Sequence, residues 1–303
     1  RMSSTSPLYA KAKKSFDQGK KKISTSLFKW RPDFLTAEPL FAAAARDFSN
    51  AGAVPEAIEA HRFHAECAFQ NGTYHSAGKA CEQAALLCMR EKTEEAAKKA
   101  SELFLQAAGY YRHASQPDNI INATMKTARA LYPYQPGEAV THMLDALEVI
   151  EEEEREVVSK EIMSEVLNAV TELGSYDAAI AVCKRVLALW LKHGRQPNVN
   201  KLFLTITILQ LAKGDVPAAD TAFQEHIQND EYLASRECAA EEELVAACRN
   251  FDESGLEEAK KAHVVQYLDA AVRRLATKLV IGEAVPPLVE EDAYNSAGAG
   301  LPI

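Results

Sequence analysis

The sequence has 303 residues, of which 47% are hydrophobic and 8% aromatic, so the chain can bury a sizeable core. Its 13 glycines and 12 prolines are too few for a collagen-like or low-complexity protein. The formal net charge of −9 argues against a general nucleic-acid binder, because such proteins carry a basic excess that neutralises phosphates. Length and composition therefore leave a globular or repeat protein, whose fold has to be inferred from periodicity.

Charge is unevenly distributed along the chain. The first segment is basic, with six lysines between Lys11 and Lys22, whereas residues 151–154 and 290–292 are acidic. Runs of this kind are most often solvated surface. The alternative is a basic pole that faces an anionic membrane and an acidic pole that faces a basic partner. The sequence alone leaves both interpretations open.

Residues 1–35 are predicted to form an N-terminal helix followed by a hydrophobic loop. Leu27, Phe28 and Trp30 crowd a short stretch that also carries cations, and Pro32 prevents a helix there. Large apolar side chains interleaved with cations suit a membrane interface, where rings lie at the headgroup level and cations meet anionic lipid. The same residues fit equally well as a plug beneath the first repeat.

Residues 36–228 are predicted to form a tetratricopeptide-like repeat. Apolar residues recur every three or four positions, as in amphipathic helices. A Gly-x-apolar-x-x-Ala pattern starts at Gly52 and Gly72, 20 positions apart, and again at Gly174 and Gly214, 40 positions apart. Glycine can adopt the left-handed conformation that ends a helix. The spacing of one helix or one helix pair predicts an all-α, right-handed solenoid of antiparallel helix hairpins.

Two further segments follow the predicted repeats. Residues 229–282 carry less repetitive helical patterns and are predicted to form a C-terminal helical bundle. Residues 283–303 combine prolines, acidic residues and small residues, which predicts a flexible acidic tail. Residues 199–211 resemble a β-strand in composition, but their length favours a buried helix. No part of the sequence therefore demands a sheet.

The sequence lacks the common signatures of catalysis. No phosphate-binding loop, dinucleotide fingerprint, nucleophile elbow or zinc-protease motif is present. His61, His64 and Cys67 are spaced to share one helix face, but histidines on repeat helices more often pack or face solvent. The six cysteines form no CxxC pair and are predicted to be buried free thiols. We therefore expect no enzyme activity, no cofactor and no bound metal.

Four collinear segments carry a family resemblance. Residues 25–34 read TSLFKWRPDF, and residues 69–84 read FQNGTYHSAGKACEQA. Residues 268–276 read LDAAVRRLA, and the acidic residues 290–292 are followed by Leu301 near the end of the sequence. Together these segments resemble the soluble NSF attachment protein (SNAP) family, and within it the gamma branch. The similarity spans nearly the whole chain, which is more specific than any single motif.

The resemblance implies an adaptor of the membrane-fusion machinery in intracellular vesicle transport. SNAP proteins lie along the four-helix SNARE bundle, of syntaxin type, and recruit the hexameric ATPase NSF, which pulls the bundle apart. Basic residues on their repeats meet the acidic bundle, but the sequence does not show which side chains face it here, so SNARE contacts stay unassigned. No secretory signal and no apolar run of membrane-spanning length is visible, which predicts a cytoplasmic, peripherally membrane-associated protein.

The resemblance also assigns site residues. The membrane-attachment loop would consist of Leu27, Phe28 and Trp30. The candidates for the NSF contact are Leu301, Glu290, Glu291 and Asp292. Because two residues follow Leu301, Leu279 at the end of the last predicted helix is an alternative for the leucine that stimulates the ATPase.

Two other functions fit a helical repeat. A peptide-binding domain of the tetratricopeptide type would line a groove with Lys, Arg and Asn side chains that hold a C-terminal carboxylate. A structural scaffold of another multiprotein complex would carry a C-terminal winged-helix segment with strands, which the sequence does not indicate. Both alternatives leave the hydrophobic loop unexplained.

Overall fold

The computed structural model describes residues 7–25 and 30–288, and these residues are predominantly helical. They form fifteen α-helices and two short 3₁₀ helices: α1 (Pro7–Ile23), α2 (Phe34–Asn50), α3 (Val54–Gln70), α4 (Tyr74–Cys88), a 3₁₀ helix (Met89–Glu91), α5 (Glu94–His113), α6 (Pro117–Leu131), α7 (Pro136–Glu152), α8 (Glu156–Glu172), α9 (Tyr176–Lys192), α10 (Gln196–Ala212), α11 (Val216–His226), α12 (Asp230–Leu233), α13 (Arg236–Arg249), α14 (Glu253–Ala259), a second 3₁₀ helix (His263–Tyr267) and α15 (Ala270–Thr277). Within these ranges there is no β-strand, only an isolated antiparallel bridge between Val280 and Glu283. The predicted all-α class is confirmed.

Glycines at the helix-hairpin turns have the backbone conformation that the repeat pattern requires. Gly52, Gly72, Gly174 and Gly214 have φ between 72° and 76°, in the left-handed region where other residues are strained. Gly194, which the pattern does not include, ends α9 with a φ of 63°. The glycine pattern therefore marks turns that need a residue with positive φ, and such turns recur along the chain.

Contacts divide the chain into two compact units, Arg1–Tyr134 and Gln135–Ile303. In the first unit, each helix from α1 to α6 packs against the next helix along the chain. Its core is rich in alanine and holds a cluster of phenylalanines. Phe41 stacks on Phe63 with ring centroids 5.0 Å apart, and Phe16 meets Phe41 edge-on at 5.4 Å. The first helix therefore belongs to the same packed body as the hairpins.

In the second unit, α7 to α11 also pack on their sequence neighbours, but the later helices do not continue this order. Helix α13 packs on α10 and α11, and α15 packs on α8 and α10. Helix α10 lies at the centre, with buried side chains that include Leu204, Ile206 and Ile208. Because α10 is apolar on nearly all sides, its composition resembles that of a strand. The predicted buried helix over residues 199–211 is confirmed.

The residues that begin the predicted tail are part of the fold. Val285 is buried, and its backbone N–H donates to the carbonyl oxygen of Ala212 over 2.8 Å. Residues 283–288, which were predicted as the start of a flexible tail, are therefore packed against the second unit. The division into four segments, at residues 35, 228 and 282, otherwise stays a prediction.

The cysteines are buried free thiols, as predicted. All six lie in the described ranges: Cys67, Cys81, Cys88, Cys183, Cys238 and Cys248. Burial raises the pKa of Cys67 to about 11 and the pKa of Cys81 to about 12. Burial also raises the pKa of the other four thiols. Little thiolate is therefore present at neutral pH.

Candidate interaction sites

The predicted membrane-attachment loop lies between α1 and α2. Leu27 and Phe28 fall outside the described residues. Trp30 is described, and 87% of its surface is exposed; Leu35, in the first turn of α2, is 77% exposed. Over the ranges 7–25 and 30–288, no helix has the length and apolar character needed to cross a bilayer. The exposure of Trp30 and Leu35 favours a role at an interface over packing beneath the first repeat.

The base of this loop is held together by hydrogen bonds. The backbone N–H of Asp33 donates to the carbonyl oxygen of Lys22 over 2.9 Å, and the Asp33 carboxylate accepts from the backbone N–H of Thr36 over 3.1 Å. The second bond caps the N-terminus of α2. Hydrogen bonds from Thr36, with a smaller contribution from Lys22, lower the pKa of Asp33. The two ends of the loop are therefore fixed next to each other.

Sequence reasoning missed Leu35, although a signal was present. The buried side chains of α2 are Ala37, Phe41, Ala44, Ala45, Asp47 and Phe48. Leu35 lies two positions before the first of them, away from the face that they share. A helical-wheel projection of α2 would have identified an apolar side chain with no place in the core.

Several lysines of the predicted basic pole are used in ion pairs within the first unit. Lys11 pairs with the buried Asp47 over 2.9 Å, and Lys20 pairs with Glu59 over 2.9 Å. Lys13, by contrast, is exposed and has no ion-pair partner in the described parts of the chain. The number of lysines in α1 therefore overstates the positive charge that is available to an anionic membrane.

A cavity of about 140 Å³ lies in the second unit, among α8, α9, α10 and the second 3₁₀ helix. Lys160, Lys201 and Asn198 line it, and the ring of Trp190 contributes to the wall. Neither lysine has an ion-pair partner among the residues that the structure describes. Asp269 also lines the cavity, and its carboxylate accepts a hydrogen bond from Ser164 on α8. The cavity thus offers two ammonium groups to an anionic ligand or side chain.

Lys160 and Lys201 occupy similar positions in successive repeats. They are 41 positions apart, close to the 40-residue distance between Gly174 and Gly214. The repeat period is the signal that could have paired them, because residues one repeat apart lie on neighbouring helices of a solenoid.

Helix α15 covers much of the surface between α8 and α10. The side-chain oxygen of Asn168 accepts from the backbone N–H of Ala271 over 2.7 Å, and Glu172 at the end of α8 pairs with Arg274. The apolar face of α15, which includes Leu275, is buried. The chain's own helix therefore covers part of the surface of α8 and α10 that a peptide could otherwise contact.

Of the candidates for the ATPase contact, only Leu279 lies in the described part of the chain. Leu279 is only 1% exposed and is part of the core, which argues against it as the leucine that contacts the ATPase. Its burial follows from the packing of the chain just after α15. Leu301, Glu290, Glu291 and Asp292 lie outside the described residues, and their role stays a prediction.

The histidines of α3 serve packing and local hydrogen bonding. Burial lowers the pKa of His61 to about 4 and also lowers the pKa of His64. Ser76 Oγ and Glu38 Oε1 lie 3.2 and 3.9 Å from the same nitrogen of His64, Nε2. A catalytic triad needs these groups on opposite nitrogens. In the described residues no three potential ligands are close enough together to hold a metal ion.

Comparison with known proteins identifies the family. The model of the soluble NSF attachment protein (SNAP) family matches residues 7–269. The chain belongs to this family. It is 22% identical over 278 residues to the gamma-soluble NSF attachment protein of Dictyostelium discoideum, covering 91% of this chain and 85% of that protein. It is 26% identical over 277 residues to the gamma-soluble NSF attachment protein of Arabidopsis thaliana, covering 89% of this chain and 92% of that protein.

The family assignment confirms the resemblance inferred from the sequence, including its gamma branch. It supports an adaptor role associated with SNAREs and NSF. A family of attachment proteins also agrees with the prediction that the chain is not an enzyme.

Proposed function

We propose that this SNAP-family member binds a SNARE bundle of syntaxin type and presents it to the NSF hexamer for disassembly. The observation that carries the proposal is the cavity in the second unit. Lys160 and Lys201 line it without an acidic partner in the described chain, and they lie one repeat apart. An elongated acidic partner that lies across successive repeats can reach both ammonium groups.

These two lysines are expected to affect the rate of association more than the final affinity. Charges at the edge of an interface attract an oppositely charged partner at a distance and so raise the association rate constant. The attraction is screened over about 8 Å at physiological ionic strength. SNARE binding should therefore slow as the salt concentration rises.

The membrane and NSF contacts complete the proposal. Leu27, Phe28 and Trp30, joined by Leu35, would attach the protein peripherally to the cytoplasmic face of a membrane. The attachment would raise the local concentration of the protein near membrane-anchored SNAREs. The NSF contact would be made by Leu301 together with the acidic residues Glu290, Glu291 and Asp292.

A peptide-binding function is the second candidate, because a cavity with Lys160, Lys201 and Asn198 also fits a C-terminal carboxylate. Because α15 packs on both α8 and α10, a peptide would have to end at the cavity without lying along these two helices where α15 covers them. This arrangement makes the peptide-binding function the weaker candidate.

The test has two readouts: the rate at which this protein associates with a preformed SNARE complex on liposomes, and the disassembly of that complex by NSF and ATP, with and without this protein. The test variant is Lys160→Glu with Lys201→Glu. The matched control is Lys79→Glu with Lys184→Glu, which changes the net charge equally at two exposed lysines outside the cavity. We expect the test variant to slow SNARE association by about tenfold or more and the control to change it little.

Each result has a defined meaning. Equal loss in both variants would show that net charge alone matters, and the cavity assignment would be wrong. No stimulation by the wild-type protein, together with binding of a peptide carboxylate that the test variant abolishes, would replace the adaptor proposal with the peptide-binding one.

A further inference from the structure

The chain beyond α15 turns back and crosses the ends of two helix hairpins. Val280 and Glu283 form an antiparallel bridge around Gly282, which has a φ of 71°. The chain then continues to Leu288, whose backbone N–H donates to the carbonyl oxygen of Glu172 over 2.9 Å. We call residues 280–288 the C-terminal strap.

The strap supplies hydrogen bonds that two helix ends lack. The last carbonyl groups of a helix have no partner within that helix. Val285 N–H donates to Ala212, the last residue of α10, and Leu288 N–H donates to Glu172, the last residue of α8. The two residues between these donors are prolines, which have no N–H and restrict the backbone to extended conformations. The strap sequence therefore matches the spacing of the two helix ends.

Two turn glycines leave room for the strap. A Cβ atom on Gly174 would lie 2.7 Å from Cγ of Pro287, and a Cβ atom on Gly214 would lie 3.1 Å from the backbone carbon of Glu283. At Gly194 such an atom would meet no described atom within 4 Å. The first two glycines are therefore needed for close approach as well as for their positive φ.

A tyrosine adjacent to one of these turns completes the contact. The hydroxyl of Tyr176 donates to the carbonyl oxygen of Val285 over 3.0 Å and lies 3.3 Å from that of Pro286. The side chain of Tyr176 is buried, and burial raises its pKa, so the hydroxyl stays a donor at neutral pH. We call Gly174, Tyr176 and Gly214 the strap seat.

We propose that the strap seat is a positioning device that fixes where the terminal segment of the chain leaves the second unit. The proposal rests on the proposed function, in which residues beyond 288 contact the ATPase. A docked strap starts that segment beside the turn between α8 and α9. An undocked strap would add nine residues of chain after α15 and lower the effective concentration of the segment at its partner.

The test compares Gly174→Ala with Gly194→Ala. Both variants place a Cβ atom at a residue with positive φ, 72° and 63°, but only the first one contacts the strap. Tyr176→Phe is the second test variant, because it removes the hydroxyl and keeps the ring. In the full-length protein we would measure amide exchange at Val285 and Leu288, SNARE binding, and stimulation of NSF.

Tyr176→Phe removes one hydrogen bond to the strap, and Gly174→Ala adds a methyl group that clashes with Pro287. We expect each variant to speed exchange of both amides by about two- to tenfold. Gly194→Ala should leave that exchange unchanged. The strap variants should raise the protein concentration that gives half-maximal NSF stimulation by about two- to fivefold, with SNARE binding unaffected.

Unchanged amide exchange in both strap variants would show that these residues do not seat the strap, and the proposal would fail. Faster exchange with unchanged NSF stimulation would overturn the positioning role while the proposed adaptor function stands. If the wild-type protein does not stimulate NSF at all, both the proposed adaptor function and the positioning role are contradicted. The strap seat then has a purely structural role.

Discussion

The cores of the two units are stabilised by different kinds of contact. In the first unit, phenylalanine rings and alanines pack together, Phe41 touches both Phe16 and Phe63, and the Lys20 ammonium lies 4.5 Å from the centroid of the Phe16 ring. In the second unit, a fully buried carboxylate, Glu241, holds α10, α11, α12 and α13 together. The hydroxyls of Thr207 and Tyr232 donate to it.

The third partner of Glu241 is a histidine. Nδ1 of His226 lies 2.7 Å from Glu241 Oε1, and the His226 ring stacks on Phe203 with centroids 4.3 Å apart. Burial and the neighbouring carboxylate raise the pKa of Tyr232, which keeps that hydroxyl protonated. In the second unit, a directional polar cluster thus joins four helices where the order of the repeat ends.

The largest expected effect comes from breaking the polar cluster. Glu241→Ala leaves Thr207, His226 and Tyr232 buried without their acceptor, so we expect the free energy of unfolding to fall by about 3–5 kcal/mol. Urea denaturation measures the change, and amide exchange in α13 locates it in the second unit. Glu242→Ala, at the exposed neighbouring position, is the control. A loss below about 1 kcal/mol for Glu241→Ala would show that the cluster does not hold these helices.

A smaller effect is expected from the aromatic core of the first unit. Phe41→Leu keeps most of the apolar volume and loses two ring contacts, so the free energy of unfolding should fall by about 1–2 kcal/mol. The same denaturation experiment measures it. A loss as large as that of Glu241→Ala would mean that the first core is equally specific, and the contrast between the units would disappear.

The smallest expected effect is a pH-dependent loss of stability at the Lys11–Asp47 ion pair of the first unit. The hydrogen bond from Lys11 lowers the pKa of the buried Asp47, and charge from Lys11 and Arg46 adds to it. The stabilisation is therefore present above the unfolded-state pKa, about 3.9, and is lost as pH falls through the lower folded-state value. Asp47→Asn should cost about 1 kcal/mol at pH 7, and this cost should shrink as pH falls through the folded-state pKa of Asp47. A cost that does not change with pH would contradict the ion pair as its cause.

The helices and their glycine turns could be predicted because both depend on short-range patterns, and Gly52 and Gly174 show this directly. The strap could not, since Val285 meets Tyr176 more than a hundred positions away. Glu241 was hidden in an acidic run that resembles solvated surface. Its spacing of three and four positions from the buried Leu244 and Val245 is a signal that it faces the core.

The shared position of Lys160 and Lys201 at one cavity could be predicted only in part. It required the repeat period and the knowledge of which side chains line the same cavity, and only the first can be read from the sequence. The membrane loop is similar: Trp30 was recognised from its composition, whereas Leu35 needed the buried face of α2.

The burial of all six cysteines has a practical consequence for labelling. Every native thiol is shielded and weakly acidic, so maleimide and iodoacetamide reagents will find few thiolates on the folded protein. A single cysteine placed at an exposed position such as Leu35 can then carry a fluorophore against a dark background. Single-site labelling of this protein therefore does not require prior replacement of its native cysteines.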